Sequence, residues 1–306
     1  MPEISVVVPA YNEEAAIGGV LQRLRAVLGE AGIAHEIVVV IDGATDGSAA
    51  AATPLADQVI EHPQNLGYGR SLKTGILAAT NDLIAITDAD GTYPAERLPE
   101  LIRLADRYHM VVAARTGAFY RGGFVKRMGR VVFRYLSEFA AGQRIPDINS
   151  GFRVFRRSHV IPFFPLLSTG FSFTTTLTLV YLLNDFFVHY VPIEYHERIG
   201  RSKVHHLRDA ARALQIIVEA ILRCNPIKIF LLLAMPFLAA GAVFAGLAVA
   251  IGNWVCGLIS AVTLSTTGLI MGLGFLAVSV MPRRDLFGPA SPVRSATSER
   301  RSDADR

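Results

Sequence analysis

Short apolar runs alternate with amphipathic stretches through the first part of the chain. The runs lie at residues 4–8, 36–41, 58–61 and 83–87. Their length and their content of Val and Ile favour β-strands, and the runs at 36–41 and 83–87 should be buried. The first stretch between them has helical spacing of its apolar residues, at Ile17, Val20, Leu21, Leu24 and Leu28. Strands that alternate with helices predict an α/β fold, with a mostly parallel sheet and helices on both faces.

Acidic and turn-forming residues follow three of these predicted strands. Pro9 begins Pro-Ala-Tyr-Asn-Glu-Glu, Asp42 begins Asp-Gly-Ala-Thr-Asp-Gly-Ser, and Asp88 begins Asp-Ala-Asp-Gly. Ligands of parallel sheets bind beyond the carboxyl ends of the strands, so the three loops should share one crevice. The carboxylates of Asp88 and Asp90 form a hard-oxygen pair that suits Mg²⁺ or Mn²⁺ carrying a diphosphate. Taken alone, such a pair more often serves a turn or a helix cap than a metal site.

A long uncharged segment lies near the C-terminus. It runs from Ile229 to Pro282 without any Asp, Glu, Lys, Arg or His. This length fits two spans of about 20 residues each, joined by a polar turn at residues 252–254. We interpret it as a helical hairpin of residues 227–251 and 255–281. The alternative is a buried helix pair of a soluble domain, but such helices rarely run this far without a charge.

The charges that flank the hairpin predict its orientation. Arg223 and Lys228 precede the first span, and Arg283 and Arg284 follow the second. The positive-inside rule then places both ends on the cytoplasmic side. The first residues lack the basic region and the long apolar run of a signal peptide. The expected organisation is a cytoplasmic domain (1–203), an amphipathic juxtamembrane helix (204–226), two transmembrane helices (227–282) and a disordered tail (283–306).

Composition adds little to this picture. The 306 residues are 51% hydrophobic and carry a net charge of only +4, and we expect no nucleic-acid partner. Cys224 and Cys256 form no disulfide or zinc pattern. Two basic amphipathic stretches, at 124–139 and 204–224, fit helices that lie in the lipid headgroup plane. Ordinary surface helices packed on the sheet remain the alternative for both.

The loop motifs resemble those of family 2 glycosyltransferases, which have the GT-A (Rossmann-like) fold. The resemblance rests on the order and spacing of residues 6–14, 42–48 and 88–90. Downstream, Asn-Ser-Gly-Phe-Arg at 149–153 and Arg-Ile-Gly-Arg-Ser-Lys at 198–203 resemble the polyprenyl-phosphate branch. That branch includes dolichol-phosphate mannosyltransferases and bacterial undecaprenyl-phosphate glycosyltransferases with two C-terminal membrane helices.

The resemblance implies a donor site at the first three motifs. The residues lining the nucleotide pocket would be Pro9, Tyr11, Glu13 and Asp42. Asp88 would face the nucleotide and Asp90 would ligate Mg²⁺ or Mn²⁺, which agrees with residues i and i+2 pointing to the same side of an extended chain. The family usually has a second acid before Asp42, where this chain has Ile41. This departure could alter the nucleotide preference.

The resemblance also implies an acceptor site built from basic residues. It matches Arg115 and Arg153 to arginines that hold the acceptor phosphate, and a guanidinium suits a phosphate because it donates two parallel hydrogen bonds. The mobile loop expected to close over the diphosphate would contain Arg198, Arg201, Ser202 and Lys203. A patch attracted to anionic lipid is a compatible interpretation of that loop.

Asp147 lies where many family 2 enzymes keep a general base. A phosphate acceptor is already anionic at neutral pH and needs no strong base. Asp147 could therefore orient Arg153 or the sugar hydroxyls instead.

The sequence thus predicts a membrane-anchored inverting glycosyltransferase. It would move a hexose from a nucleotide-diphosphate sugar to a polyprenyl phosphate at the cytoplasmic face, with the lipid bilayer as a partner and homo-oligomerisation left open. One alternative is another lipid or glycan acceptor, which the cluster of arginines disfavours. Another is a non-catalytic nucleotide-binding scaffold, which the presence of Asp90 disfavours.

Overall fold

The computed structural model describes residues 3–117, 134–197 and 226–280, together with Gln215 and Val218. The chain divides into two compact units between Ala213 and Leu214. Most of the two predicted basic helices and all of the predicted loop at 198–203 lie outside the described residues, as does the predicted tail. The two units are described separately.

The first unit is built on a seven-stranded sheet of order β3-β2-β1-β4-β6-β5-β7. The strands are β1 (Ile4–Ala10), β2 (His35–Asp42), β3 (Gln58–His62), β4 (Leu83–Ile86), β5 (Met110–Thr116), β6 (Arg153–Arg156) and β7 (Val188–Glu194). Parallel pairing joins β1 to β2 and β4, β2 to β3, and β5 to β7. The prediction of a mostly parallel sheet is confirmed.

One strand runs against the others. β6 lies between β4 and β5 and is antiparallel to both, so that Arg153 pairs with Ile86 on one side and Val112 on the other. Because β6 is reversed, the loop that enters it reaches the same edge as the loops that leave the parallel strands. The sequence analysis did not predict β5, β6 or β7.

Helices cover both faces of the sheet. In chain order they are α1 (Glu14–Glu30), α2 (Ser48–Ala52), α3 (Tyr68–Ala78), α4 (Leu98–Leu104), α5 (134–141), α6 (Arg157–Val160) and α7 (Phe173–Leu183). Side chains of β1 alternate between two cores, with Val6 and Val8 in the core under α1 and Val7 in the core under α3 and α7. Burial on both faces is why β1 is apolar apart from Ser5, whose hydroxyl donates to Glu36.

The second unit is a pair of long apolar helices, α8 (Pro226–Ile251) and α9 (Trp254–Val280). The turn between them contains Gly252 at φ 68°, in the left-handed region that favours glycine. The Ser260 hydroxyl donates to the Gly241 carbonyl of the other helix at 2.9 Å. Both helices are long and apolar enough to cross a membrane, and their most apolar windows are only 11% and 6% buried. Little burial within protein suits helices that contact lipid, so the candidate hairpin is confirmed and suggests membrane anchoring.

Two histidines lie in an aromatic cluster at the edge of the sheet where β5 and β7 begin. The rings of His109 and His159 are 5.5 Å apart, and Phe186 contacts both, at 4.9 and 5.3 Å. Burial is the main cause that lowers the pKa of both imidazoles from the ordinary 6.5. The charge of Arg156 adds to this lowering of the pKa at His109, while at His159 the neighbouring His109 adds to it and Asp82 partly opposes it. Both histidines are therefore held in the neutral form near neutral pH.

This cluster predicts a loss of stability in acid. The unfolded chain takes up protons on these histidines at a higher pH than the folded protein, so the stability is full above about pH 6.5 and falls as the pH drops below it. We expect the melting temperature of the detergent-solubilised protein to fall less between pH 8 and pH 5 in His159→Phe than in the parent. The exposed His196, changed to Gln, is the control, and an equal fall in His159→Phe and the parent would contradict the prediction.

Candidate active site

The loops after β1 and β2 are bonded to each other. The Asn12 side-chain oxygen accepts from the Thr45 amide at 2.7 Å, and the Glu14 carboxylate accepts from the Gly47 amide at 3.0 Å. A Cβ at position 47 would lie 2.6 Å from a Glu14 oxygen, so a larger residue there would push the Glu14 carboxylate aside. Much of the polar character of both motifs is therefore used to hold the two loops together.

The residues predicted to line the nucleotide pocket from β1 lie at this junction. Pro9 is buried within β1, Tyr11 is half-buried in the following turn, and Glu13 is buried where α1 begins. The Glu13 amide donates to the Ser48 hydroxyl at 2.8 Å. The loop after β2 therefore fixes the position of Glu13.

Asp42 holds the loop that leads into α3. Its carboxylate is 4% exposed and accepts from the amides of Leu66 at 2.9 Å and Gly67 at 2.8 Å. His62 Nδ1 lies 2.7 Å from the same carboxylate, and His62 Nε2 lies 3.1 Å from the Thr74 hydroxyl. The sequence analysis assigned Asp42 to the nucleotide pocket and did not foresee these protein partners.

A cavity of about 450 Å³ opens beside Asp42, at the carboxyl ends of β2 and β3. Its lining residues are Ile41, Gly43, Ala44, Thr45, Glu61, His62 and Pro63. The two sequence neighbours of Asp42 are thus both in the wall. A concave space at the carboxyl edge of a parallel sheet is where such folds bind ligands.

Asp88 and Asp90 lie beyond the end of β4 in different surroundings. Asp88 is half-buried and accepts from the Tyr68 hydroxyl at 2.9 Å. Asp90 is buried. Its carboxylate accepts hydrogen bonds from the Thr92 hydroxyl at 2.6 Å and from the Thr92 amide at 3.2 Å. Gly151 lies against the Asp88 carboxylate: a Cβ on Gly151 would be 2.8 Å from both Asp88 oxygens.

This carboxylate pair fits Mg²⁺ or Mn²⁺. Magnesium is usually held by one or two carboxylates and takes its other ligands from phosphates and water. Among the described residues, no group of three or more His, Cys, Asp or Glu side chains could hold a metal ion. A metal at Asp88 and Asp90 would therefore depend on a phosphate-bearing ligand for the rest of its shell.

Arg115, at the end of β5, forms a two-point ion pair with Asp147. Its Nε and Nη2 donate to the two carboxylate oxygens at 2.7 and 3.0 Å, and its amide donates at 3.1 Å. Asp147 is buried, and 16% of the Arg115 side chain remains exposed. Asp147 therefore orients Arg115, whereas the sequence analysis had suggested Arg153 or the sugar hydroxyls as its partners.

Arg153 lies in the interior of the protein and is 0% exposed. Its Nε donates to the Ser150 carbonyl at 2.7 Å, Nη1 to the Thr178 hydroxyl at 2.6 Å and Nη2 to the Ile148 carbonyl at 2.6 Å. Burial lowers the pKa of this guanidinium. The prediction that Arg153 holds a phosphate does not agree with this geometry, because protein acceptors already bind its three nitrogens. Arg153 instead fixes the loop that precedes β6.

The remaining predicted residues, Arg201, Ser202 and Lys203, lie outside the described part of the chain. The residues that lead toward them are tied to the crevice. The Tyr195 amide donates to the Thr116 carbonyl at 3.2 Å, and the His196 amide donates to the Thr92 carbonyl at 3.0 Å.

Several tyrosines at the site were missed by the sequence analysis. The Tyr93 hydroxyl accepts from the Gly151 amide at 2.7 Å, and its ring lies edge-on to Tyr195 with 5.4 Å between centroids. The Tyr68 hydroxyl contacts Asp88 as described. Tyr93 follows the acidic triplet by three positions and could have been suspected; nothing local marks Tyr68 or Tyr195.

The chain has an α/β fold with its candidate ligand crevice at the carboxyl edge of the sheet, and solved structures share this fold. The structure of glucosyl-3-phosphoglycerate synthase from Mycobacterium tuberculosis with Mn²⁺ and UDP has a TM-score of 0.56 at 21% identity, covering 73% of this chain and 80% of that one. Mannosyl-3-phosphoglycerate synthase from Rubrobacter xylanophilus has a TM-score of 0.55 at 19% identity, covering 72% and 73%.

The sequence pattern described as Glycosyl transferase family 2 matches residues 5–163. This is more than half of the chain, which therefore belongs to glycosyltransferase family 2, as the resemblance predicted.

Two curated proteins are similar over longer stretches. The chain is 32% identical to the dolichyl-phosphate hexose transferase of Haloferax volcanii over 223 residues, which cover 72% of this chain and 94% of that protein. It is 30% identical to the undecaprenyl-phosphate 4-deoxy-4-formamido-L-arabinose transferase of Serratia proteamaculans over 190 residues, which cover 57% and 58%. The chain thus spans only about half of the length of the second relative.

The contact between Gly151 and Asp88 predicts that Gly151→Ala weakens Mn²⁺-dependent binding of UDP or GDP. The added methyl group must displace Asp88, and disturbing the surroundings of a metal ligand typically costs about ten- to a hundredfold in metal affinity. Titration calorimetry of the detergent-solubilised protein would measure the loss. Gly19→Ala is the matched control, because a Cβ there meets nothing within 4 Å and alanine favours the helix by up to about 1 kcal/mol. Equal affinity in both variants would refute the prediction.

Proposed function

We propose that this glycosyltransferase is membrane-anchored and inverting, and that it moves a hexose from a nucleotide-diphosphate sugar to a polyprenyl phosphate at the cytoplasmic face. One observation carries the proposal. A carboxylate pair suited to a metal-bound diphosphate and an oriented arginine suited to a second phosphate flank Tyr195, and the same chain contains two membrane-length helices. The names of both curated relatives support a polyprenyl phosphate acceptor.

On the donor side, the cavity beside Asp42 would take the nucleoside. Pro9, Tyr11 and Glu13 would contribute from the β1 end, where Asn12 is bonded to Thr45 of the cavity wall. Asp88 and Asp90 would hold Mg²⁺ or Mn²⁺, which would neutralise the charge that develops on the diphosphate leaving group. Thr92 keeps Asp90 in place through its hydroxyl and its amide.

On the acceptor side, Arg115 would bind the lipid phosphate. A phosphate oxygen would attack the anomeric carbon as the bond to the diphosphate breaks, so one displacement inverts that centre. The acceptor is already anionic and transfers no proton in this step. Asp147 would accordingly serve to orient Arg115, with which it shares three hydrogen bonds, and not as a base. Arg153 would hold the loop before β6, which carries Asp147, through its hydrogen bonds to the Ser150 and Ile148 carbonyls.

The segments outside the described residues complete the proposal. Arg201, Ser202 and Lys203 would close over the diphosphate from the end of β7. Residues 1–203 would form the cytoplasmic catalytic domain, 204–226 an interfacial helix, 227–282 the two spans and 283–306 a cytoplasmic tail. Such an anchor would bring a soluble donor and a lipid acceptor together at the membrane surface.

Loss of the metal-side carboxylate should abolish transfer. We expect Asp90→Ala to lower the transfer of labelled sugar from nucleotide sugars to polyprenyl phosphate by about a hundredfold or more, because the leaving-group charge is no longer neutralised. A panel of UDP- and GDP-sugars with the purified protein in lipid would measure it. Asp106→Ala, at an exposed acid beyond α4, is the control.

Two outcomes would contradict this assignment. Undiminished transfer in Asp90→Ala would overturn the metal site. Absence of transfer from every donor to polyprenyl phosphate by the parent protein would overturn the acceptor and favour another lipid or a glycan.

The proposed orientation predicts where tags become accessible. An epitope inserted at Gly252-Asn253 should be labelled in intact cells, and a tag after Arg306 only after permeabilisation, since the flanking arginines and lysine keep the helix ends inside. Labelling of the C-terminal tag in intact cells would reverse the proposed topology.

A further inference from the structure

Tyr195 lies between the two halves of the crevice. It follows the last residue of β7 and is half-buried. Its ring centroid is 5.4 Å from Cζ of Arg115, and its ring meets the edge of Tyr93 at 72°. It belongs to none of the motifs that the sequence analysis singled out.

The backbone around Tyr195 is fixed from two directions. Its own amide is bonded to Thr116 at the end of β5, and the next amide, of His196, is bonded to Thr92. Thr92 in turn donates its hydroxyl to Asp90. The hydroxyl of Tyr195 also interacts with Thr92, and burial raises the pKa of the phenol, so that the ring stays uncharged. Tyr195 is therefore held at a set place relative to the carboxylate pair.

The contacts on Arg115 come from two sides. Asp147 bonds the guanidinium in its plane, through Nε and Nη2, while Tyr195 contributes an aromatic ring. An ion pair alone leaves the guanidinium able to tilt about the carboxylate, and a ring within about 6 Å of the cation limits that tilt. Precise placement matters for a group that must present hydrogen bonds to a phosphate.

We propose that the ring of Tyr195 is a positioning element for the reaction, which sets the Arg115 guanidinium for the acceptor phosphate. The inference rests on the proposed function, since it takes Arg115 as the ligand of a lipid phosphate. It adds a residue outside the predicted site and links the acceptor arginine to Asp90 through Thr92.

The test uses the full-length protein in detergent and three variants. Tyr195→Leu removes the ring, Tyr195→Phe keeps it without the hydroxyl, and Tyr108→Leu is the matched control. Tyr108 is also a partly buried tyrosine packed on the same core, but it stacks on His189, at 4.4 Å, where β5 and β7 begin. Calorimetric affinity for farnesyl phosphate, a short polyprenyl phosphate, is measured beside the acceptor and donor KM values and the melting temperature.

We expect Tyr195→Leu to weaken farnesyl phosphate binding and to raise the acceptor KM by about two- to thirtyfold, the factor that a cation–π contact is worth. The donor KM should stay within about twofold of the parent value, and Tyr195→Phe should restore parental acceptor binding. Tyr108→Leu should lower the melting temperature about as much as Tyr195→Leu without changing the affinity.

The inference is overturned if Tyr195→Leu binds farnesyl phosphate as the parent does, if Tyr195→Phe is as weak as Tyr195→Leu, or if Tyr108→Leu is equally weak. A parent protein that does not bind farnesyl phosphate also overturns it. A parent that binds farnesyl phosphate but transfers no sugar to any polyprenyl phosphate refutes the proposed function alone, because the binding comparison among the variants still decides the role of Tyr195.

Discussion

Carboxylates that crowd onto one edge of a sheet repel one another and lose hydration, so each of them needs donors close by. The carboxyl edge of this sheet meets that constraint with a different donor set for each acid. Asp42 receives backbone amides, Asp90 a threonine, and Asp147 an arginine. Asp88 receives a tyrosine hydroxyl. The donors to Asp42, Asp88 and Asp147 come from distant segments of the chain, whereas Thr92 lies in the same loop as Asp90. Satisfying the first three acids therefore also brings the loops of the crevice together.

The same contacts distinguish acids that position other groups from an acid that faces the crevice. Asp42 and Asp147 are buried and committed to protein donors, so their main effect is to place neighbouring groups. Asp88 is half-buried and borders Gly151, which keeps its oxygens near the crevice. A site of this kind is sensitive at positions that carry no charge, since a glycine or a threonine sets the location of a carboxylate.

β1, β2 and β4 could be predicted from sequence because burial on both faces leaves a mainly apolar run, as in Leu83–Ile86. β3 is partly exposed and has only Val59 and Ile60 as apolar residues. β6 could not be predicted, since it has only four residues and begins with an arginine. A charged side chain is normally expected at the surface, and the interior placement of Arg153 depends on carbonyls brought near by the tertiary fold. The partner of Asp147 was missed for a similar reason, because Arg115 is 32 positions away. The resemblance of the motifs could indicate which residues belong to the site. Which of these residues are bonded to each other follows from the order of the strands, which the motifs do not give.

The reversed direction of β6 has a consequence for how such an enzyme can diversify. Residues that leave parallel strands build the proposed donor half, while the residues from Asp147 to Gly151 enter the sheet from a long excursion after β5. The excursion can change in length or composition without shifting the register of β1, β2 or β4. Mutations within most of that excursion can therefore retune the recipient of the sugar while the strands that carry the proposed donor residues keep their register. Gly151 is the exception, because its contact with Asp88 joins the two halves of the crevice.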